Sequence, residues 1–182
     1  MEREYDKELL DFIQNSPSVY HMIAGQKQRL LAAGYTQLLE SETWKLRPGG
    51  KYFLTRNGSA IVAFRVPEGP FRGFMIMASH SDSPALKVKE HPEITVEGTY
   101  RKLNVELYGG ALLAPWFDRP LSVAGRLFLR TAEGVRPCLV DAGRDLVLIP
   151  SLAIHMNREV NAGYEYRVQR DLLPLYGGPE AR

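Results

Sequence analysis

The run Phe74-Met75-Ile76-Met77-Ala78 closes abruptly on Ser79-His80-Ser81-Asp82-Ser83-Pro84, and no other stretch constrains the fold as much. Five apolar residues before a polar break predict a buried strand. His80 and Asp82 then stand just past its carboxyl end, where open α/β sheets place their ligand sites. Upstream of the run, two helical patterns are followed by a strand pair. Beyond Pro84 the pattern is almost wholly β.

The upstream part is expected to open with a helix over about Glu4 to Gln14, with Leu9, Leu10 and Ile13 on one side. A second helix takes Ser16 as N-cap and Pro17 at its first position, carries Val19, Met22, Ile23, Leu30 and Leu31, and ends at Gly34. Both read as packing elements. Lys51–Arg56 and Ser59–Val66 then flank Asn57-Gly58, a pair that tolerates the positive φ of a type I′ turn and so predicts a hairpin. Downstream, the segments 86–89, 94–96, 103–108, 121–130 and 135–140 alternate apolar and polar residues between short turns, the signature of an antiparallel meander or sandwich. These patterns divide the chain into an α/β part over residues 1–88 and a β-rich part over 89–182. From Leu152 onward no period is clear, and the ending reads as a cut or a fray.

Composition narrows the function classes. A chain of 182 residues with 45% hydrophobic content holds one ordinary domain or two small ones, which excludes wholesale disorder. The formal charge of +2 is scattered, leaving no basic stripe for nucleic acid. The charged start, Met1-Glu2-Arg3-Glu4, does not fit a signal peptide, and no apolar run approaches a membrane span, so a cytoplasmic protein is expected. Cys138 stands alone as an inert core thiol, consistent with a reducing compartment and with any metal resting on histidine and carboxylate ligands.

A catalytic zinc site takes about three protein ligands per ion plus a water, and a metal-bound histidine commonly gives its second ring N–H to a carboxylate. His80 and Asp82 have the residue types for that pairing. A hydrogen-bonded loop histidine beside a turn-capping aspartate fits the same spacing. His155, in the apolar Ile149-Pro150-Ser151-Leu152-Ala153-Ile154-His155, fits a buried or interface histidine, or a proton donor to a site formed elsewhere. Trp116-Phe117-Asp118-Arg119-Pro120 reads as a turn anchored by core aromatics with a local ion pair. His21 and His91 are assigned no role. No phosphate loop, Gly-x-Ser-x-Gly elbow or paired-cysteine motif is present.

Taken as a set, Gly50–Gly58, Ala78–Pro84, Tyr108-Gly109-Gly110, Trp116–Arg126 and Ile149–His155 resemble the M18 family of zinc aminopeptidases, the aspartyl aminopeptidase type, over nearly the whole chain. The resemblance implies the first part of a zinc-exopeptidase-like α/β catalytic domain, with a β-rich oligomerisation domain inserted into it. It implies a zinc-dependent aminopeptidase acting on peptides with acidic N-terminal residues, holding two zinc ions and assembled as a homodimer or larger oligomer. His80 would be a zinc ligand, Asp82 the carboxylate orienting it, and His155 a residue that reaches a neighbouring subunit's site to stabilise the tetrahedral intermediate. The remaining ligands and the proton-shuttling glutamate would follow Arg182, so the 182-residue chain by itself is expected to be inactive. The competing expectation is a non-catalytic relative acting as an oligomerisation or binding module.

Overall fold

The structure is a computed structural model that describes residues 2–181. In chain order its elements are α1 (Glu2–Gln14), α2 (Val19–Ala32), β1 (Thr36–Gln37), β2 (Lys51–Arg56), β3 (Ala60–Arg65), β4 (Ala85–Val96), β5 (Tyr100–Tyr108), a 3-10 turn (Ala114–Trp116), β6 (Pro120–Leu121), β7 (Ala124–Thr131), β8 (Gly134–Asp141), β9 (Val147–Leu148), the short helices α3 (Val160–Gly163) and α4 (Val168–Asp171), and β10 (Leu175–Gly177). The fold is mixed α/β. Two compact units emerge: one runs to Asp82 and takes in Ala124–Val140, and the other holds Ser83–Val123 and the residues from Asp141 onward. Residues 88 and 89, between which the sequence pattern places a division, are neighbours inside β4.

In the first unit, β2 is the centre of a three-stranded sheet, parallel to β1 and antiparallel to β3. Phe53 on β2 is fully buried, with Tyr52 and Ile23 of α2 as the other buried apolar residues of the unit. A Cβ at Gly50 would lie 2.5 Å from the Tyr52 ring, so this position takes no side chain unless the ring moves. The Asn57-Gly58 turn forms as expected, with φ of 53° and 65° and the Ser59 N–H donating to Arg56 O at 3.1 Å. Helix α2 packs on β3 and on β7 of the β7–β8 hairpin. It begins two residues later than the sequence suggests, because Ser18 rather than Ser16 caps it, accepting from the His21 N–H. Its end is a Schellman motif: Gly34 at φ 79° donates to Leu31 O, and Tyr35 donates to Leu30 O.

Three expectations fail here. Residues 73–84 adopt no strand, and Met75 and Met77 are completely exposed, because no ladder partner for this run exists among the described residues. Leu9, Leu10 and Ile13 of α1 are each more than half exposed, so the apolar face of α1 is open rather than packed. Cys138 on β8 is only partly buried, not core.

The second unit is a five-stranded sheet in the order β4-β5-β10-β9-β6. It is antiparallel, but it is not a simple meander. The β4–β5 hairpin turns on Glu97-Gly98, again both at positive φ, and its pairing slips between Val88 and Glu93, where Pro92 has no N–H to give. His91 lies in that slip, exposed. β10 comes from the tail that lacks a sequence period and inserts between β5 and β9. The adjoining Leu172 and Leu173 are buried with Val105, Val147 and Ile149. Leu172 to Gly177 of the tail therefore join the core and the sheet rather than fray, while Leu152 to Met156 stay exposed. No helix among the described residues is long and apolar enough to cross a membrane.

Candidate metal centre

His80 stands in the irregular segment before β4, with its side chain 82% exposed. Its Nδ1 lies 2.8 Å from the Asp82 backbone oxygen and 3.2 Å from Asp82 Oδ1. A carbonyl oxygen can only accept, so Nδ1 carries the proton and donates. In the neutral ring that choice leaves Nε2 with the lone pair a metal ion requires, on a side chain open to solvent. The adjacent residue is anchored too: Ser81 Oγ donates to Ser59 O at 3.3 Å, tying the segment to the Asn57-Gly58-Ser59 turn. Among the described residues no three or more His, Cys, Asp or Glu side chains gather into a metal-binding group.

His155 occupies a turn closed by Met156 N–H to Ala153 O at 2.8 Å. It is exposed, as are Leu152, Ile154 and Met156 around it, so the buried alternative for this histidine is wrong.

Asp118 makes no ion pair with Arg119; its partner is Ser151. The Ser151 N–H donates to Oδ1 at 2.9 Å and the Ser151 hydroxyl to Oδ2, while the Asp118 N–H donates to Ile149 O at 2.9 Å. Asp118 adopts φ 54°, a left-handed conformation that aspartate tolerates better than most residues. Phe117 stacks on Tyr166 with ring centroids 5.0 Å apart. The turn at 116–120 is thereby latched to the segment 149–151 that leads to His155. The Ser151 hydroxyl, and then its N–H, hold the Asp118 carboxyl below the ordinary aspartate value of 3.8. A depressed carboxyl keeps its stabilising contact above the unfolded value and loses it as pH falls through the folded one. The Ser151 amide proton resonance is therefore expected to stay constant near neutrality and to titrate with a midpoint below 3.8. Asp118→Asn should remove that transition, whereas a midpoint at or above the ordinary value would show that the latch does not form.

Local spacing identifies the His80–Asp82 pair. It does not reveal Ser59, Ser81, Ser151 or the role of Asp118, whose partners lie 22 and 33 residues away with no motif linking them.

With this geometry in view, the comparisons are specific. The family model for aminopeptidase I zinc metalloproteases, M18, matches residues 12–181. A probable M18 family aminopeptidase 2 of Clostridium acetobutylicum is 44% identical over 180 residues, covering 97% of this chain and 42% of its own length. The structure of Chaetomium thermophilum mApe1 superposes with a TM-score of 0.87 at 34% identity, over 97% of this chain and 41% of that one. The S. cerevisiae mApe1 dodecamer gives a TM-score of 0.74 at 31% identity, over 82% of this chain and 36% of that one. The chain spans about two-fifths of the length of the curated relatives it matches.

Proposed function

We propose a zinc aminopeptidase function for the protein to which this chain contributes, because the chain belongs to the M18 family of aminopeptidase I zinc metalloproteases and presents a histidine set for metal ligation. The observation that carries the proposal is the His80 ring, whose Nδ1 is committed to Asp82 so that Nε2 is left as the donor. His80 would hold one zinc of a two-ion centre. Asp82 would fix the tautomer and raise the basicity of the ring. Zinc, when bound, supplies Lewis acidity toward a peptide carbonyl and lowers the pKa of a water.

The β-rich residues 89–182 would furnish most of an inserted oligomerisation domain. Exposed Leu152, Ile154 and Met156 favour an interface around His155, and the dodecameric relative favours a homo-oligomer. In such an assembly His155 would donate a hydrogen bond to substrate bound at a neighbouring subunit. Peptides with an acidic N-terminal residue are the substrate class, and a reducing cytoplasm with its single thiol unpaired is the setting.

A chimera that joins residues 1–182 to the complementary carboxyl-terminal part of the Clostridium acetobutylicum relative tests this. It should release N-terminal Asp or Glu from peptides, with release lost to a chelator and restored by Zn²⁺. A folded chimera with no release overturns the aminopeptidase reading, and one that prefers apolar N-termini overturns the acidic preference. The 182-residue chain assayed alone should release nothing at any zinc supply, and release by it would refute a centre shared with further residues.

A further inference from the structure

Arg126 lies on β7, far along the sequence from the metal-ligand segment, yet it reaches the turn that segment is tied to. Its guanidinium donates through Nη1 to the Asn57 carbonyl. The guanidinium carbon sits 4.1 Å from the centre of the Tyr20 ring and 4.8 Å from that of Phe128, so the group is held between α2 and its own strand. The turn it grips has two successive residues at positive φ, Asn57 and Gly58, of which only the glycine adopts that conformation freely. A Cβ at Gly58 would come 3.5 Å from Arg126 Nη1, an ordinary contact, so it is the φ of 65° and not crowding that favours glycine there. On the other side of the turn, Ser59 O accepts from Ser81 Oγ, and Ser81 lies between His80 and Asp82.

We propose that Arg126 is a positioning residue for the His80–Asp82 pair, acting through the Asn57-Gly58-Ser59 turn and Ser81. The turn is a rigid link because both of its ends are held, one by a stacked cation and the other by a hydroxyl. Residues 73–84 form no regular structure, so the orientation of His80 depends on side-chain anchors of this kind. Loosening Arg126 frees the turn, then Ser81, and then the Nδ1–H contact that keeps Nε2 bare. The catalytic significance rests on the reading of His80 as a zinc ligand, but the relay itself does not.

The test uses the 182-residue chain, with the His80 ring tautomer read by ¹⁵N NMR at a pH well above imidazole titration. The wild type should show the Nδ1–H form in excess. Arg126→Gln and Ser81→Ala should each move the ratio about fivefold toward Nε2–H, the effect of losing one ordinary hydrogen bond. The double variant should move it no further than either alone, since both interrupt one path. Arg126→Lys keeps a cation and a donor and should restore part of the wild-type ratio, which a loss of general stability would not predict. An unchanged ratio in folded Arg126→Gln overturns the proposal. So does an unchanged ratio in Ser81→Ala, a variant that leaves the buried core intact whatever Arg126→Gln does to folding. Adding Zn²⁺ to the chimera, which supplies the remaining ligands, separates the two readings: if the His80 Nε2 resonance there ignores the ion while the variants still shift the tautomer in the 182-residue chain, the ligand assignment fails and the relay stands.

Discussion

His80→Ala in the chimeric enzyme should lower kcat/KM for an N-terminal aspartyl peptide by more than about 100-fold, since outer partners of metal-bound histidines alone are worth about 10- to 100-fold. The His80 Nδ1 is occupied by two acceptors from a single residue, and the side chain that carries the other nitrogen is open to solvent. Alanine removes the donor atom, so zinc content should fall together with activity. Asp82→Asn keeps the backbone acceptor and removes only the charge, so it should cost less, about 10- to 100-fold in zinc affinity. The loss should be offset by raised Zn²⁺, which would restore kcat more than it restores it for His80→Ala. Equal activity and zinc content in the His80→Ala and parent proteins would remove His80 from the centre.

How legible this molecule is from its sequence depends on the range of the interaction concerned. Asn57-Gly58 and Gly34 were readable because a single residue type reports a local φ, and both positions take the expected left-handed conformation. The His80–Asp82 contact spans two residues and is equally local. Strand pairing is not. The run at 74–78 has the composition of a buried strand, but a strand exists only where a partner accepts its hydrogen bonds, and none does among the described residues. Conversely, Leu175–Gly177 has too short a pattern to announce a strand, and it becomes one because β5 and β9 leave a place between them. Arg126 shows the same limit at the site. Nothing near it in sequence points to a carbonyl 69 residues earlier.

Phe53→Ala should give the largest loss of stability in the first unit, about 3–5 kcal/mol, the range for deleting a buried phenylalanine side chain. The ring is fully buried on the central strand, whose pairing puts Gln37 on one side and Ala63 on the other. The backbone at this residue is also engaged, since the Leu38 N–H donates to Phe53 O at 2.7 Å. An alanine there leaves a void that the strands on both sides cannot close without moving their own ladders. Against a typical net stability of about 5–15 kcal/mol the loss would bring this unit close to unfolding at 37 °C. Val62→Ala on the neighbouring strand is the control: Val62 is 57% exposed, and its truncation should cost no more than about 0.5 kcal/mol. Urea melts followed by fluorescence in a Trp116→Phe background, which leaves Trp44 of the same unit as the sole tryptophan, its indole 6.4 Å from the Phe64 ring, would register the difference as a shift of roughly 2 M in midpoint for Phe53→Ala and almost none for Val62→Ala. Equal shifts would mean that the sheet is not held by Phe53. In Phe53→Ala the His80 anchor should loosen as well, because the turn that accepts Ser81 joins the strand that carries this ring to its antiparallel neighbour.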